Sequence, residues 1–160
     1  MSRYAYADPP YIGQAKKHYG DAEVDHVELI ERLVTEYEGW ALSCSSPSLQ
    51  VILGLCPEDV RVMAWVKPFC SFKPNVNPAY AWEPVIVSGG RKRGREVETV
   101  RDWVSEPITL RRGLVGVKPR AFCFWLFSVL NLEMGDTFDD LYPGTGAVTD
   151  AWCEWRARLL

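Results

Sequence analysis

Two short strings hold most of the chemistry available to this chain of 160 residues. The first is Asp8-Pro9-Pro10-Tyr11. Consecutive prolines fix the backbone and donate no N–H, so their carbonyls stand as free acceptors. Asp8 adds a carboxylate and Tyr11 a flat ring close by in the chain. A rigid acceptor pair beside an aromatic platform suits an amino group on a planar base. The amine donates to Asp8 and to the Pro9 carbonyl while Tyr11 stacks on the ring. The second string is Asp140-Leu141-Tyr142-Pro143-Gly144-Thr145-Gly146. A Gly-x-Gly turn lets backbone N–H groups come close to a ligand, and the N-terminus of a following helix favours negative charge. No Lys-Ser or Lys-Thr follows Gly146, which excludes a P-loop for nucleotide phosphates. Taken singly, a Gly-x-Gly is more often a plain tight turn, and an Asp beside two prolines is not rare.

These strings need elements to hold them. Tyr4-Ala5-Tyr6-Ala7 reads as a buried strand that stops at the two prolines. Asp25, with Glu28 three residues on, is a capping-box start for a helix carrying Leu29, Ile30, Leu33, Val34 and Tyr37 at helical spacing. Trp40–Cys44 is strand-like, and Ser46-Pro47 opens a second helix. Val60–Val66 and Trp82–Val87 are further strands, the latter placed near an edge because of Pro84. Residues 88–117 read as an irregular basic insert. Phe122–Leu130 is a buried helix opening after Pro119, Phe138–Tyr142 a strand, and Ala147–Leu160 a closing helix. Strands alternating with helices predict one α/β domain over 1–160, an open, mostly parallel sheet of about five strands with helices on both faces. Both strings then follow strands at their carboxyl ends, where open α/β sheets bind ligands.

Composition narrows the classes. Hydrophobic residues make up 48% and charged residues 24%, which excludes disordered and collagenous chains. The net charge of −3 is not that of a generally basic nucleic-acid binder, so any such contact needs a local patch. The five cysteines, Cys44, Cys56, Cys70, Cys123 and Cys153, are odd in number and lack a CxxC. Reduced, buried thiols in a cytosolic protein are expected, with no disulfide framework and no zinc site. His18 and His26 offer no metal cluster, so no metal is expected. No apolar signal core or membrane-length run occurs, which predicts a cytoplasmic protein without membrane contact.

Together the two strings carry a resemblance. Asp8-Pro9-Pro10-Tyr11 resembles the catalytic DPPY motif of S-adenosylmethionine-dependent amino-methyltransferases of the adenine-N6 DNA type, phage or bacterial. Asp140 to Gly146 resembles the family's cofactor loop, written D-x-F-x-G-x-G, with Tyr142 where Phe is usual. Lys118-Pro119, a helix and Gly135-Asp136 look like the block preceding that loop. Catalytic loop first and cofactor loop last is similar to the circularly permuted β-type order, and residues 4–160 can be laid on that plan. The resemblance implies a Rossmann-like sheet, S-adenosylmethionine as cofactor, and methyl transfer to the exocyclic amine of a flipped adenine in DNA. It implies Asp8, Pro9, Pro10 and Tyr11 as the catalytic loop. It implies Asp140, Tyr142, Gly144, Thr145 and Gly146 as the cofactor site, with Asp140 on the cofactor's amino-acid part and Lys118 near its carboxylate. The family's ribose-holding acid has no counterpart past Gly146, so weak cofactor binding is expected, and a homodimer would supply the missing wall.

Other residues invite two readings each. Arg91, Lys92, Arg93 and Arg95 lie between glycines and suit phosphates, or form a solvated loop; Arg111-Arg112 is a second basic pair. Lys16 and Lys17 follow the catalytic string and are also assigned to nucleic acid. Lys67, Lys73 and Asn77 with Trp65, Phe69, Phe72, Tyr80 and Trp82 form a basic-aromatic stretch for a flipped base, about half of those rings being core. Glu83, at the end of this stretch, is placed facing the cleft. Cys44 and Ser45-Ser46 follow a strand end, but no His is placed to activate them, which disfavours a hydrolase. Two alternatives stay open: a non-catalytic nucleic-acid-binding or regulatory protein on the same fold, and an RNA adenine methyltransferase.

Overall fold

Side chains along a strand alternate between its two faces, and β1 (Arg3–Ala7) buries both. Tyr4 and Tyr6 enter one apolar cluster, and Ala5 and Ala7 the other. The computed structural model describes residues 1–14, 23–110 and 116–160. The described elements continue with α1 (His26–Glu36), β2 (Gly39–Ser43), a 3-10 turn over Ser46–Ser48, α2 (Leu49–Leu53), β3 (Arg61–Val66) and β4 (Trp82–Gly89). They close with β5 (Trp103–Ser105), α3 (Arg120–Leu130), β6 (Thr137–Asp140) and α4 (Ala147–Arg158).

The six strands form one sheet in the order β5-β3-β4-β2-β1-β6. Only β4 runs against the rest, antiparallel to both β2 and β3. This is the expected α/β, Rossmann-like sheet, with one strand more than the sequence suggests. The extra strand, β5, pairs in parallel with β3 and lies inside 88–117. Its three residues are too short for a period-2 signal.

Both faces are covered. Tyr4, Tyr6, Ala41, Val85 and Val87 pack under α3 and α4, against Phe122, Leu126, Phe127 and Trp152. On the other face Ala5, Trp40, Leu42 and Ile86 pack against Leu29, Ile30 and Leu33 of α1 and Ile52 of α2. Burial on both sides explains why β2 reads as an unbroken apolar run. The α1 cap is as expected: the Asp25 carboxylate accepts from the backbone of Val27 and Glu28. Ser46-Pro47 starts a 3-10 turn before α2 and not a regular helix.

The edge position expected for the strand at Pro84 is corrected. β4 lies in the interior between β3 and β2. The Cys44 N–H donates to the Pro84 carbonyl at 3.2 Å, so the backbone of Pro84 faces just beyond the last β2 residue, Ser43. The one bond the proline cannot make is the return bond to the Cys44 carbonyl, at the very end of the β2 ladder, so only that last bond is lost. The thiols are also more varied than expected: Cys44 and Cys123 are buried, Cys56 and Cys70 half-buried, and Cys153 exposed.

Candidate active site

β1 and β6 are parallel neighbours, with Tyr6 opposite Asp140, and Leu141 N–H donates to the Tyr6 carbonyl at 3.0 Å. Adjacent strands lie about 5 Å apart. The Asp8-Pro9-Pro10-Tyr11 loop and the Asp140-to-Gly146 loop therefore leave the same carboxyl edge side by side. Pro9 is buried and Pro10 and Tyr11 half-buried, so the catalytic string is packed against the sheet. With Ser43, Cys44 and Ser48, these residues line a shallow cleft.

Under this loop sits a buried cluster of charge. Glu83, at the start of β4, is 3% exposed. Its Oε1 is 2.5 Å from Lys118 Nζ. Its Oε2 accepts from the Tyr11 hydroxyl at 2.8 Å and from Lys67 Nζ at 3.2 Å. Lys118 Nζ also lies 3.3 Å from Asp8 Oδ2. Both ammoniums lie against the Trp65 ring, at 4.5 Å for Lys67 and 4.9 Å for Lys118. The Trp65 indole N–H donates to the Glu106 carbonyl at 2.8 Å.

The electrostatics follow from that packing. Burial pushes the Asp8 carboxyl up to about 6; Lys118 opposes this, while Glu83 and Asp140 add to it. Burial also works upward on Glu83, but Lys118 and Lys67, with the hydrogen bonds from Lys118 and Tyr11, outweigh it and hold the carboxyl below its usual range. For Lys118 burial works downward and is outweighed by Asp8 and Glu83, so the amine is held above its usual range, charged. Burial, then Glu83 and Asp8, raises the Tyr11 phenol. Burial, then Glu83, pushes the Cys44 thiol up to about 12, which leaves it inert as a nucleophile.

The second loop is shaped for a ligand. Gly144 and Gly146 have φ of 50° and 81°, a region that side chains with a Cβ rarely enter. A Cβ added at either would meet nothing within 4 Å, so the turn opens onto free space. Gly146 caps α4, whose first N–H groups face the same opening. Asp140 Oδ2 accepts from the Thr149 hydroxyl at 3.3 Å. Asp140 Oδ1 is buried with no partner, and burial raises this carboxyl. A buried, unpaired carboxylate oxygen beside an open glycine turn fits a ligand with a positively charged amino group. Thr145 is exposed, and Tyr142 packs half-buried against the α1 face.

The other expected site residues divide. Lys118 is in the site, but its ammonium is turned to Asp8 and Glu83. Lys73 is exposed on the β3–β4 loop, at the same carboxyl edge, with Phe69, Phe72, Tyr80 and Trp82 also exposed. Of those five aromatics only Trp65 is core, fewer than the half expected. Arg91 to Arg95 follow the end of β4, which antiparallel pairing puts at the opposite edge of the sheet. There Arg91 pairs with Asp136 at 2.6 Å and Glu133 at 3.4 Å. The Arg93 guanidinium donates to the Glu98 and Ser128 carbonyls, while Lys92 and Arg95 are exposed. Lys16, Lys17, Arg111 and Arg112 lie outside the described residues. Among the described residues no group of three or more His, Cys, Asp or Glu is placed to hold a metal, and no helix is long and apolar enough to cross a membrane. The role of Lys67 and Glu83 as partners of Tyr11 and Lys118 was not legible in the sequence. The available signal was an acid set in the apolar strand Trp82-Glu83-Pro84-Val85-Ile86-Val87.

No family model matches the sequence, and no curated protein is detectably similar to it. The structure is similar to solved structures that include the following two. Against the M1.HpyAVI–SAM complex the TM-score is 0.65 at 17% identity, over 98% of this chain and 80% of that one. Against M1.HpyAVI the TM-score is 0.61 at 19% identity, over 98% and 77%. The likeness is one of fold: a Rossmann-like, mostly parallel α/β sheet shared over 98% of this chain.

Proposed function

We propose that this protein transfers a methyl group from S-adenosylmethionine to the exocyclic N6 of adenine in DNA. The observation that carries the reading is the pairing of two loops at one sheet edge. Asp8-Pro9-Pro10-Tyr11 lies beside a glycine turn whose neighbouring acid, Asp140, keeps a buried oxygen unpartnered. The fold shared with a SAM-bound neighbour supports the cofactor assignment.

When bound, the cofactor supplies an electrophilic methyl group on a sulfonium centre. The chain's own residues do the rest. Asp140 Oδ1 accepts from the cofactor's ammonium, and Gly144 and Gly146 let the backbone approach it, with Thr145 and Tyr142 at the rim. Asp8 and the Pro9 carbonyl accept the two N–H bonds of the adenine amine, which turns its lone pair toward the methyl carbon. The N–C bond would form as the S–C bond breaks, in line, leaving a neutral thioether, and the amine would give up one proton, which the Asp8 carboxylate is placed to accept; most of the gain would be positioning. Pro10 holds the loop rigid and the Tyr11 ring stacks on the extruded base. Lys73 and the exposed rings of Phe69, Phe72, Tyr80 and Trp82 form the nucleic-acid face on the catalytic side.

The test is incubation of purified protein with methyl-labelled S-adenosylmethionine and DNA, RNA or neither. Label recovered as N6-methyladenine in DNA is the expected result. Label in RNA alone would move the substrate to RNA, and no transfer together with no cofactor binding by calorimetry would end the reading.

A further inference from the structure

Glu83 touches three segments that are far apart in the chain. Tyr11 lies in the loop after β1, Lys67 follows β3, and Lys118 precedes α3. A lone carboxylate at this depth would be costly, and two ammoniums and a phenol hold it ionised. Its two oxygens are divided: one takes Lys118, the other takes Tyr11 and Lys67. Lys118 passes the arrangement on, since its second partner is Asp8 at 3.3 Å. Glu83 is therefore hydrogen-bonded to the stacking ring directly and to the amine-binding carboxylate through one ammonium. A network built only to hold the sheet together would have no need to end on both side chains of the catalytic loop.

We infer that Glu83 and Lys118 are positioning residues: Glu83 fixes the Tyr11 ring and, through Lys118, holds the Asp8 carboxylate in place. The inference rests on the methyl-transfer reading for its role in the reaction, but its structural content stands on the contacts alone. Lys118 then serves the catalytic loop and not the cofactor's carboxylate.

The charges around Asp8 make the coupling measurable. Lys118 faces it from the start of α3, Glu83 from β4 and Asp140 from β6, with the Tyr6 and Tyr11 phenols near. Glu83 in turn faces Lys67 and Cys44. Glu83→Gln removes a negative neighbour, so the Asp8 midpoint should fall by about one pH unit. The side-chain amide oxygen in that variant still accepts from Tyr11, which keeps the packing. Lys118→Gln removes the positive neighbour, so the midpoint should rise by about as much. Lys118→Arg, which keeps the charge, should return it toward the wild-type value.

The readout is the carboxyl ¹³C shift of Asp8 against pH in the cofactor-free protein, which requires no activity. The acid limb of kcat/KM for methyl transfer should move in the same directions. An Asp8 midpoint unmoved in Glu83→Gln overturns the inference, whether or not the protein transfers methyl groups, and that variant suffices if Lys118→Gln does not fold. Opposite shifts in a wild-type framework that transfers no methyl group would sink the proposed reaction and uphold the coupling of Glu83 and Lys118 to Asp8.

Discussion

Asp8→Asn should make the protein more stable and less active. The Asp8 carboxyl is pushed from its ordinary 3.8 up to about 6 in the folded protein. The folded state thus keeps its proton over a window in which the unfolded chain has already lost it. Stability therefore falls as pH rises from about 4 to about 6, and this contribution is flat above that. Two pH units at about 1.4 kcal/mol each set a ceiling of about 3 kcal/mol. Because 22% of the Asp8 side chain is open to solvent, about 1–2 kcal/mol is the reasonable expectation. Asparagine is neutral throughout and escapes this cost, while Lys118 keeps Glu83 at 2.5 Å and is not orphaned. Urea unfolding should show the variant about 1–2 kcal/mol more stable at pH 7.5, with the difference shrinking toward zero at about pH 4. Losing a charge-assisted hydrogen bond of about 2–3 kcal/mol should lower methyl transfer roughly 100-fold at pH 7.5. A variant less stable than wild type at pH 7.5, or a difference equal at the two pH values, would refute the reasoning.

Tyr11→Phe removes one of three donors to Glu83 but keeps the ring; it should cost about 1 kcal/mol in urea unfolding and lower methyl transfer, because the ring is no longer fixed, though far less than Tyr11→Ala. Asp140→Asn should weaken S-adenosylmethionine binding by roughly 10-fold or more in calorimetry, with no loss of stability, because the affected Oδ1 has no protein partner to lose. Arg91→Ala should cost about 1–2 kcal/mol in stability, since it strips a guanidinium from the buried Asp136 carboxylate, and leave DNA affinity unchanged. Lys73→Ala with Phe72→Ala should do the reverse, weakening DNA binding and flattening its salt dependence at unchanged Tm; a loss of affinity confined to Arg91→Ala would put the interface at the other edge of the sheet.

Much of the chain was legible because the deciding interactions are local. The Asp25 carboxylate caps the helix that starts next to it, and the prolines end β1 wherever β1 lies. The glycine turn needs positive φ at Gly144 and Gly146 whatever surrounds it. The apolar runs of β1, β2 and β4 could only be strands buried on both faces, or helices too short to stand. Since both strings follow strands, the sequence alone determined that each candidate loop would leave the carboxyl end of a strand in an α/β sheet; the parallel pairing of β1 with β6 put the two ends side by side.

What the sequence could not contain is the order of the strands and the edge on which each ends. Pro84 reads as an edge signal because a proline costs a ladder bond, yet β4 is interior because Pro84 faces Cys44 just past the end of β2, where only the last bond of the ladder is lost. The Arg91 run reads as a phosphate grip, but one antiparallel strand sends it to the far edge, where Asp136, 45 residues on, neutralises Arg91. Glu83 reads as an acid at the end of the basic-aromatic stretch, facing the cleft, with no partner named for it. Only pairing across 72 residues to Tyr11 and 35 to Lys118 makes it the centre of the site. Local propensity acts through neighbours in sequence, and strand order through closures whose entropy cost barely depends on which segments meet. The loops were therefore written in the chain, whereas the charges beneath them were assigned by the fold.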